Sequence, residues 1–140
     1  MNGNLKGARI AMRVLVLEDQ EYIRLLLVVL LRKLGFTVEA VAGRTEGFAA
    51  FQRVMPDVVV CDLAMPDGDG FSFIKRVRSL TDEAGGSVPA IALSTFSAPN
   101  VVDLALGAGF NRFLAKPVDI HRLASVIREL LGESRLMDLP

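Results

Sequence analysis

The chain has 140 residues, 16 Lys+Arg balanced by 16 Asp+Glu, and 51% hydrophobic residues. That is the size of one ordinary domain, too apolar and weakly charged for intrinsic disorder and without the basic excess of a nucleic-acid or anionic-membrane binder. The single cysteine excludes an internal disulfide and points to a reducing, cytoplasmic setting.

Residues 1–11 carry Lys6 and Arg9 but no long apolar stretch, so they read as a flexible leader rather than a signal peptide. Val14–Leu17 is a short β-branched-rich run ending in Glu18 and Asp19. Glu21 to Leu34 has helical length and composition, with Gly35 as its stop. Within it, Leu25 to Leu31 is the longest unbroken apolar run, far short of the roughly 20 residues of a membrane span. Ile23, Leu26, Leu27, Leu30, Leu31 and Leu34 make a core stripe at helical spacing. Leu25, Val28 and Val29 make a second stripe outside it. A strand follows at Val38–Val41, then a helix at Arg44–Val54 stopped by Pro56. Val58–Cys61 is a wholly apolar strand ending at Asp62, followed by the Pro/Gly/Asp-rich loop Met65–Gly70. Phe71–Leu80 reads as a helix, Thr81–Val88 as a polar connection, and Ala90–Leu93 as a strand ending at Ser94. Pro99–Ala108 is a helix closed by Gly109, and Arg112–Ala115 a strand ending at Lys116-Pro117. Ile120–Leu131 is the last helix, closed by Gly132, which leaves 133–140 as a tail.

Strands apolar on both faces, alternating with helices, imply a parallel sheet covered on both sides. Right-handed crossovers then predict a flavodoxin-like, doubly wound α/β fold with strand order 2-1-3-4-5 and five helices. Ligands of such folds bind beyond the carboxyl ends of the strands. Those ends deliver Glu18 and Asp19, Asp62, Ser94 with Thr95, and Lys116. Three gathered carboxylates stay anionic only beside a cation. Oxygen ligands without His or Cys favour Mg²⁺. Lys116 can pair with a phosphoryl oxygen, and Ser94 offers a hydroxyl. A carboxylate nucleophile with a metal, a cation and a hydroxyl is equipment for phosphoryl transfer onto a carboxylate.

These stretches resemble the receiver domain of two-component response regulators. The matching segments are Val14–Asp19 (VLVLED), Val58–Gly70 (VVVCDLAMPDGDG), Pro89–Ser94 (PAIALS) and Gly109–Pro117 (GFNRFLAKP), and the resemblance spans residues 12–132. PAIALS and the Ala-Gly-Phe before the last strand look most like receivers of hybrid sensor kinases. The resemblance implies that Asp62 accepts a phosphoryl group from a phosphohistidine on a histidine kinase or phosphotransfer protein. Asp19, Asp62, the Ala64 carbonyl and, through water, Glu18 would hold Mg²⁺. Lys116, ahead of a cis Pro117, would bridge to the phosphoryl group. Ser94 and Phe113 would switch position, a biased two-state response. A receiver is a phosphorelay signalling module, phosphorylating and dephosphorylating only itself, with no direct nucleic-acid or membrane role.

Two positions depart from the common pattern: Glu18 stands where Asp is commoner, and Thr95 where Ala or Gly is usual. Thr95 is expected to slow hydrolysis of the acyl phosphate. In this family the first helix faces the kinase's helical bundle and the fourth contributes to dimers. Leu25, Val28 and Val29, and Val101, Val102 and Leu104, are therefore expected contact surfaces, compatible with a homodimer.

Plainer readings exist for several residues. Asp67 and Asp69 suggest a calcium loop, but Phe71 occupies the third ligand position, so a turn is expected. Ser94, Thr95 or Ser97 could cap a helix. His121 reads as solvated, and Cys61 as a buried, inert thiol on the face opposite Asp62. Two other functions compete: a Mg²⁺ phosphatase or nuclease using Glu18 with Asp67-Gly-Asp69, and a degenerate receiver acting as a scaffold.

Overall fold

The computed structural model describes residues 12–65 and 69–137. The expected leader at 1–11, residues 66–68 of the expected turn and the last three residues of the expected tail lie outside them. Five strands, β1 (Arg13–Leu17), β2 (Thr37–Val41), β3 (Val58–Asp62), β4 (Ala90–Ser94) and β5 (Arg112–Ala115), alternate with five helices. These are α1 (Glu21–Lys33), α2 (Arg44–Val54), α3 (Gly70–Arg78), α4 (Pro99–Ala108) and α5 (Ile120–Met137). The sheet is parallel, in the expected order β2-β1-β3-β4-β5.

Strand period two explains the apolar runs. Val14, Val16, Val58, Val60, Ile91 and Leu93 face one layer with Leu27 and Leu31 of α1 and Leu123 and Ile127 of α5. Leu15, Leu17, Val59, Cys61, Ala90 and Ala92 face the other, with Phe48 and Phe51 of α2, Phe73 and Ile74 of α3 and Ala105 of α4. Every residue of β3 and β4 is buried, because both faces are covered by helices. Register aligns the strand ends: Leu17 pairs with Cys61, Asp62 with Leu93, and Ser94 with Ala115. The residues that follow therefore emerge at one edge.

Several boundaries differ from the sequence expectation. The last helix does not close at Gly132 but continues to Met137. Gly132 lacks the positive φ found at Gly35 and Gly109, and a helical glycine costs only about 1 kcal/mol relative to alanine. Just beyond it, Glu133 pairs with Arg112 of β5 at 2.8 Å. The third helix starts at Gly70 and ends at Arg78, not Phe71 to Leu80. Its first turn is fixed by Asp69, which accepts from Ser72 N at 2.9 Å, a side-chain cap. The alternative reading of Ser94, Thr95 or Ser97 as a cap is not met on α4: Ala98 is its N-cap, with no side-chain hydrogen bond.

The α1 stripe is also phased differently. Val28 is half-buried and packs on the core, whereas Leu26 is 42% exposed. The open apolar face is Tyr22, Leu25, Leu26 and Val29, one residue set at i, i+3, i+4 and i+7. On α4, Val101 packs on the core and Val102 is half-buried, while Leu104 and Leu106 are exposed, as is Phe96 in the preceding loop.

Candidate functional site

β1 ends by burying Glu18 completely. Its backbone N–H donates to Val41 O of the edge strand at 3.0 Å. A buried carboxylate needs partners on both oxygens. Lys116 Nζ donates to Oε1 at 2.7 Å and Gln20 N to Oε2 at 3.1 Å. Asp19, one residue on, is half-buried.

β3 ends at Asp62, which is 5% exposed. Its Oδ1 accepts from Ala64 N at 3.2 Å, and its Oδ2 lies 3.3 Å from Lys116 Nζ. Burial, and then the Glu18 charge, push the Asp62 carboxyl up to about 6, and the pull of Lys116 and Ala64 N the other way does not prevail. Burial works to discharge Lys116, but its hydrogen bond to Glu18 and the two carboxylate charges outweigh this and hold it above its ordinary value. Lys116 thus remains an ammonium ion between two acids. The bond to Pro117 is cis, and Lys116 N donates to Ser94 O at 2.8 Å, tying the ends of β4 and β5 together.

Ser94 is buried, and its Oγ accepts from Phe96 N at 3.0 Å, which leaves the hydroxyl hydrogen available. Thr95 and Ala64 are exposed at the rim. Phe113 is half-buried against the α2–α3–α4 layer. Cys61 points into that same layer, away from the carboxylates. Burial, then the Asp62 charge, raises its thiol well above the ordinary range, so it is an unreactive neighbour.

Gly70 sits directly against the strand end. A Cβ there would meet Asp62 O at 2.7 Å, so only glycine lets α3 start this close to the Asp62 backbone. Asp69 accepts the cap hydrogen bond of α3; Asp67, the other half of the Asp-x-Asp of the competing phosphatase reading, lies outside the described residues. His121 is exposed on α5.

Ligand oxygens of Glu18, Asp19 and Asp62 all lie within 4.8 Å of one another. The donor set is all oxygen, acidic and mostly buried, and the raised Asp62 carboxyl marks a charge excess that a cation relieves. This chemistry fits a hard divalent ion. The arrangement can hold such an ion beside a carboxylate oxygen and an ammonium group. One contributor was not anticipated from the sequence. Arg24 of α1 donates through Nη1 to Glu18 O at 2.9 Å and Asp19 O at 3.3 Å. Its only signal is a lone arginine at the head of an apolar helix, one turn from the acids.

A family model described as response regulator receiver domain matches residues 14–128. An uncharacterized 14.6 kDa protein of Leptolyngbya boryana is 36% identical over 118 residues, covering 84% of this chain and 88% of that protein. The sensory/regulatory protein RpfC of Xanthomonas campestris pv. campestris is 32% identical over 130 residues, 93% of this chain but only 18% of RpfC. Among solved structures, the receiver domain of sensor histidine kinase PA1611 from Pseudomonas aeruginosa PAO1, with a magnesium ion coordinated in its active site cleft, superposes with a TM-score of 0.79. It is 29% identical, over 87% of this chain and 98% of that one.

Proposed function

The chain belongs to the response regulator receiver domain family, and on that premise we propose that Asp62 is its phosphoacceptor. A receiver is a two-component signalling module rather than a conventional enzyme, and its partner is a histidine kinase or phosphotransfer protein. The observation that carries the assignment is Asp62 itself: a carboxylate at the end of a central strand, 3.3 Å from an ammonium and among two further acids.

In the proposed reaction an Asp62 Oδ bonds to phosphorus as the P–N bond of a phosphohistidine breaks, and the histidine, already protonated on its other ring nitrogen, leaves as neutral imidazole. Mg²⁺ would be held by Asp19, Asp62 and the Ala64 carbonyl, with Glu18 reaching it through water, and would neutralise charge on the phosphoryl oxygens. Lys116 supplies a second positive charge, already in place. Ser94 can turn its free hydroxyl hydrogen to a phosphoryl oxygen. That motion releases Phe96 N and alters the loop before α4, with Phe113 following beneath it. Thr95 stands at the rim, where it limits water. Docking to a partner's helices uses the α1 face of Tyr22, Leu25, Leu26 and Val29, and α4 offers Val102, Leu104 and Leu106 for self-association. No described helix is long and apolar enough to cross a membrane.

Incubation with Mg²⁺ and a small phosphodonor tests the reading. One covalently bound phosphate, with no turnover of added phosphoesters, supports it. Hydrolysis of phosphoesters without protein-bound phosphate would replace it with the phosphatase reading.

A further inference from the structure

The three acids of the pocket are held in different ways. Both oxygens of Glu18 are occupied by Lys116 and Gln20. Those of Asp62 are met by Ala64 N and Lys116. The Asp19 carboxylate receives no hydrogen bond among the described residues, so its position is set by its own main chain. That main chain has just left the sheet and has not yet entered α1. Its two carbonyls, Glu18 O and Asp19 O, are taken by one side-chain nitrogen, Arg24 Nη1, at 2.9 and 3.3 Å. Arg24 is itself fixed in the first turn of α1, where its N–H donates to Gln20 O at 2.9 Å.

We infer that Arg24 is a positioning residue for the metal-binding loop, clamping residues 18 and 19 so that Asp19 presents its carboxylate to the ion. The inference rests on the reading that this pocket takes Mg²⁺. Groups that orient ligands without touching the metal typically contribute about 10- to 100-fold in affinity. A second effect has the opposite sign. Arg24 carries a positive charge near a cation site, so by electrostatics alone its removal would tighten Mg²⁺ binding.

Titration calorimetry with Mg²⁺ alone separates the two on wild type and Arg24→Met, which keeps the aliphatic stem and helix propensity but has no donor. The Kd is expected to rise about tenfold, and hydrogen exchange of the Glu18–Gln20 amides in the metal-free protein is expected to quicken while amides late in α1 keep their rates. Arg24→Gln, whose head is too short to span both carbonyls, should move both readouts the same way and serves if Arg24→Met does not fold. Unchanged or tighter Mg²⁺ binding with unchanged exchange in a folded variant would overturn the inference. Wild type that takes up no Mg²⁺ would instead overturn the metal reading, and the exchange rates would then decide the role of Arg24.

Discussion

The ammonium of Lys116 donates to Glu18 at 2.7 Å, closer than its 3.3 Å approach to Asp62. The lysine is therefore moored by the acid that no solvent reaches. It leans on Asp62 more loosely, which in the proposed reaction lets it follow a phosphoryl oxygen without leaving Glu18. Removing one member of a buried ion pair strands the other, at a cost of about 3–5 kcal/mol. Lys116→Met is expected to lose stability on that scale by urea unfolding. Adding Glu18→Gln should recover part of it, because the more deeply buried of the two stranded charges is then gone. Additive losses in the double variant would show that the pair is not coupled.

The raised Asp62 carboxyl makes metal-free stability fall with pH. The folded protein holds this proton up to about pH 6, whereas the unfolded chain releases it near 3.8. More protons bound in the native state means that stability declines as pH rises from about 4 to about 6. At about 1.4 kcal/mol per pH unit the loss is on the order of 3 kcal/mol and persists above that window. Asp62→Asn should flatten this slope and be the more stable protein at pH 7 without metal. Saturating Mg²⁺ should flatten it in wild type. Denaturation curves at stepped pH measure both effects, and a wild-type stability that instead climbs over this interval would contradict them.

Thr95 is exposed beside the buried Ser94, and in the proposed function its branched side chain limits the approach of water to the phosphorylated Asp62. Thr95→Ala is expected to shorten the lifetime of the phosphorylated protein, followed by loss of bound phosphate after the donor is removed. An equal or longer lifetime would remove Thr95 from the site.

The exposed apolar face of α1 lies beside the pocket rather than in it. Leu25→Glu with Val29→Lys should slow phosphotransfer from a histidine-phosphorylated partner while leaving the rate from a small phosphodonor unchanged. Equal loss from both donors would mean that the changes damage the pocket and not a docking surface.

Much of this was readable in the sequence because parallel strands covered on both sides are apolar throughout, so the first polar residue after each run marks the strand end. Glu18, Asp62, Ser94 and Lys116 stood out for that reason, and the register that aligns them follows from the strand order. The phase of α1 was not readable. Leu25 to Leu31 is apolar at every position, so periodicity could not tell Leu26 from Val28, and packing against β2 and α5 decided it. Gly132 looked like a stop because glycine often ends helices, yet it does so through a positive φ that this glycine does not adopt. Asp69 was read as part of a turn, since capping depends on where the helix begins. Arg24 acts through backbone carbonyls, which leave no trace in side-chain patterns.

A phosphoryl group on Asp62 has a chemistry that allows a direct reading. Borohydride reduces an aspartyl phosphate to homoserine, which survives digestion and peptide sequencing by mass spectrometry. After incubation with Mg²⁺ and a small phosphodonor, homoserine is expected at position 62 in wild type and none in Asp62→Asn. Homoserine at another aspartate, or phosphate uptake undiminished in Asp62→Asn, would contradict it.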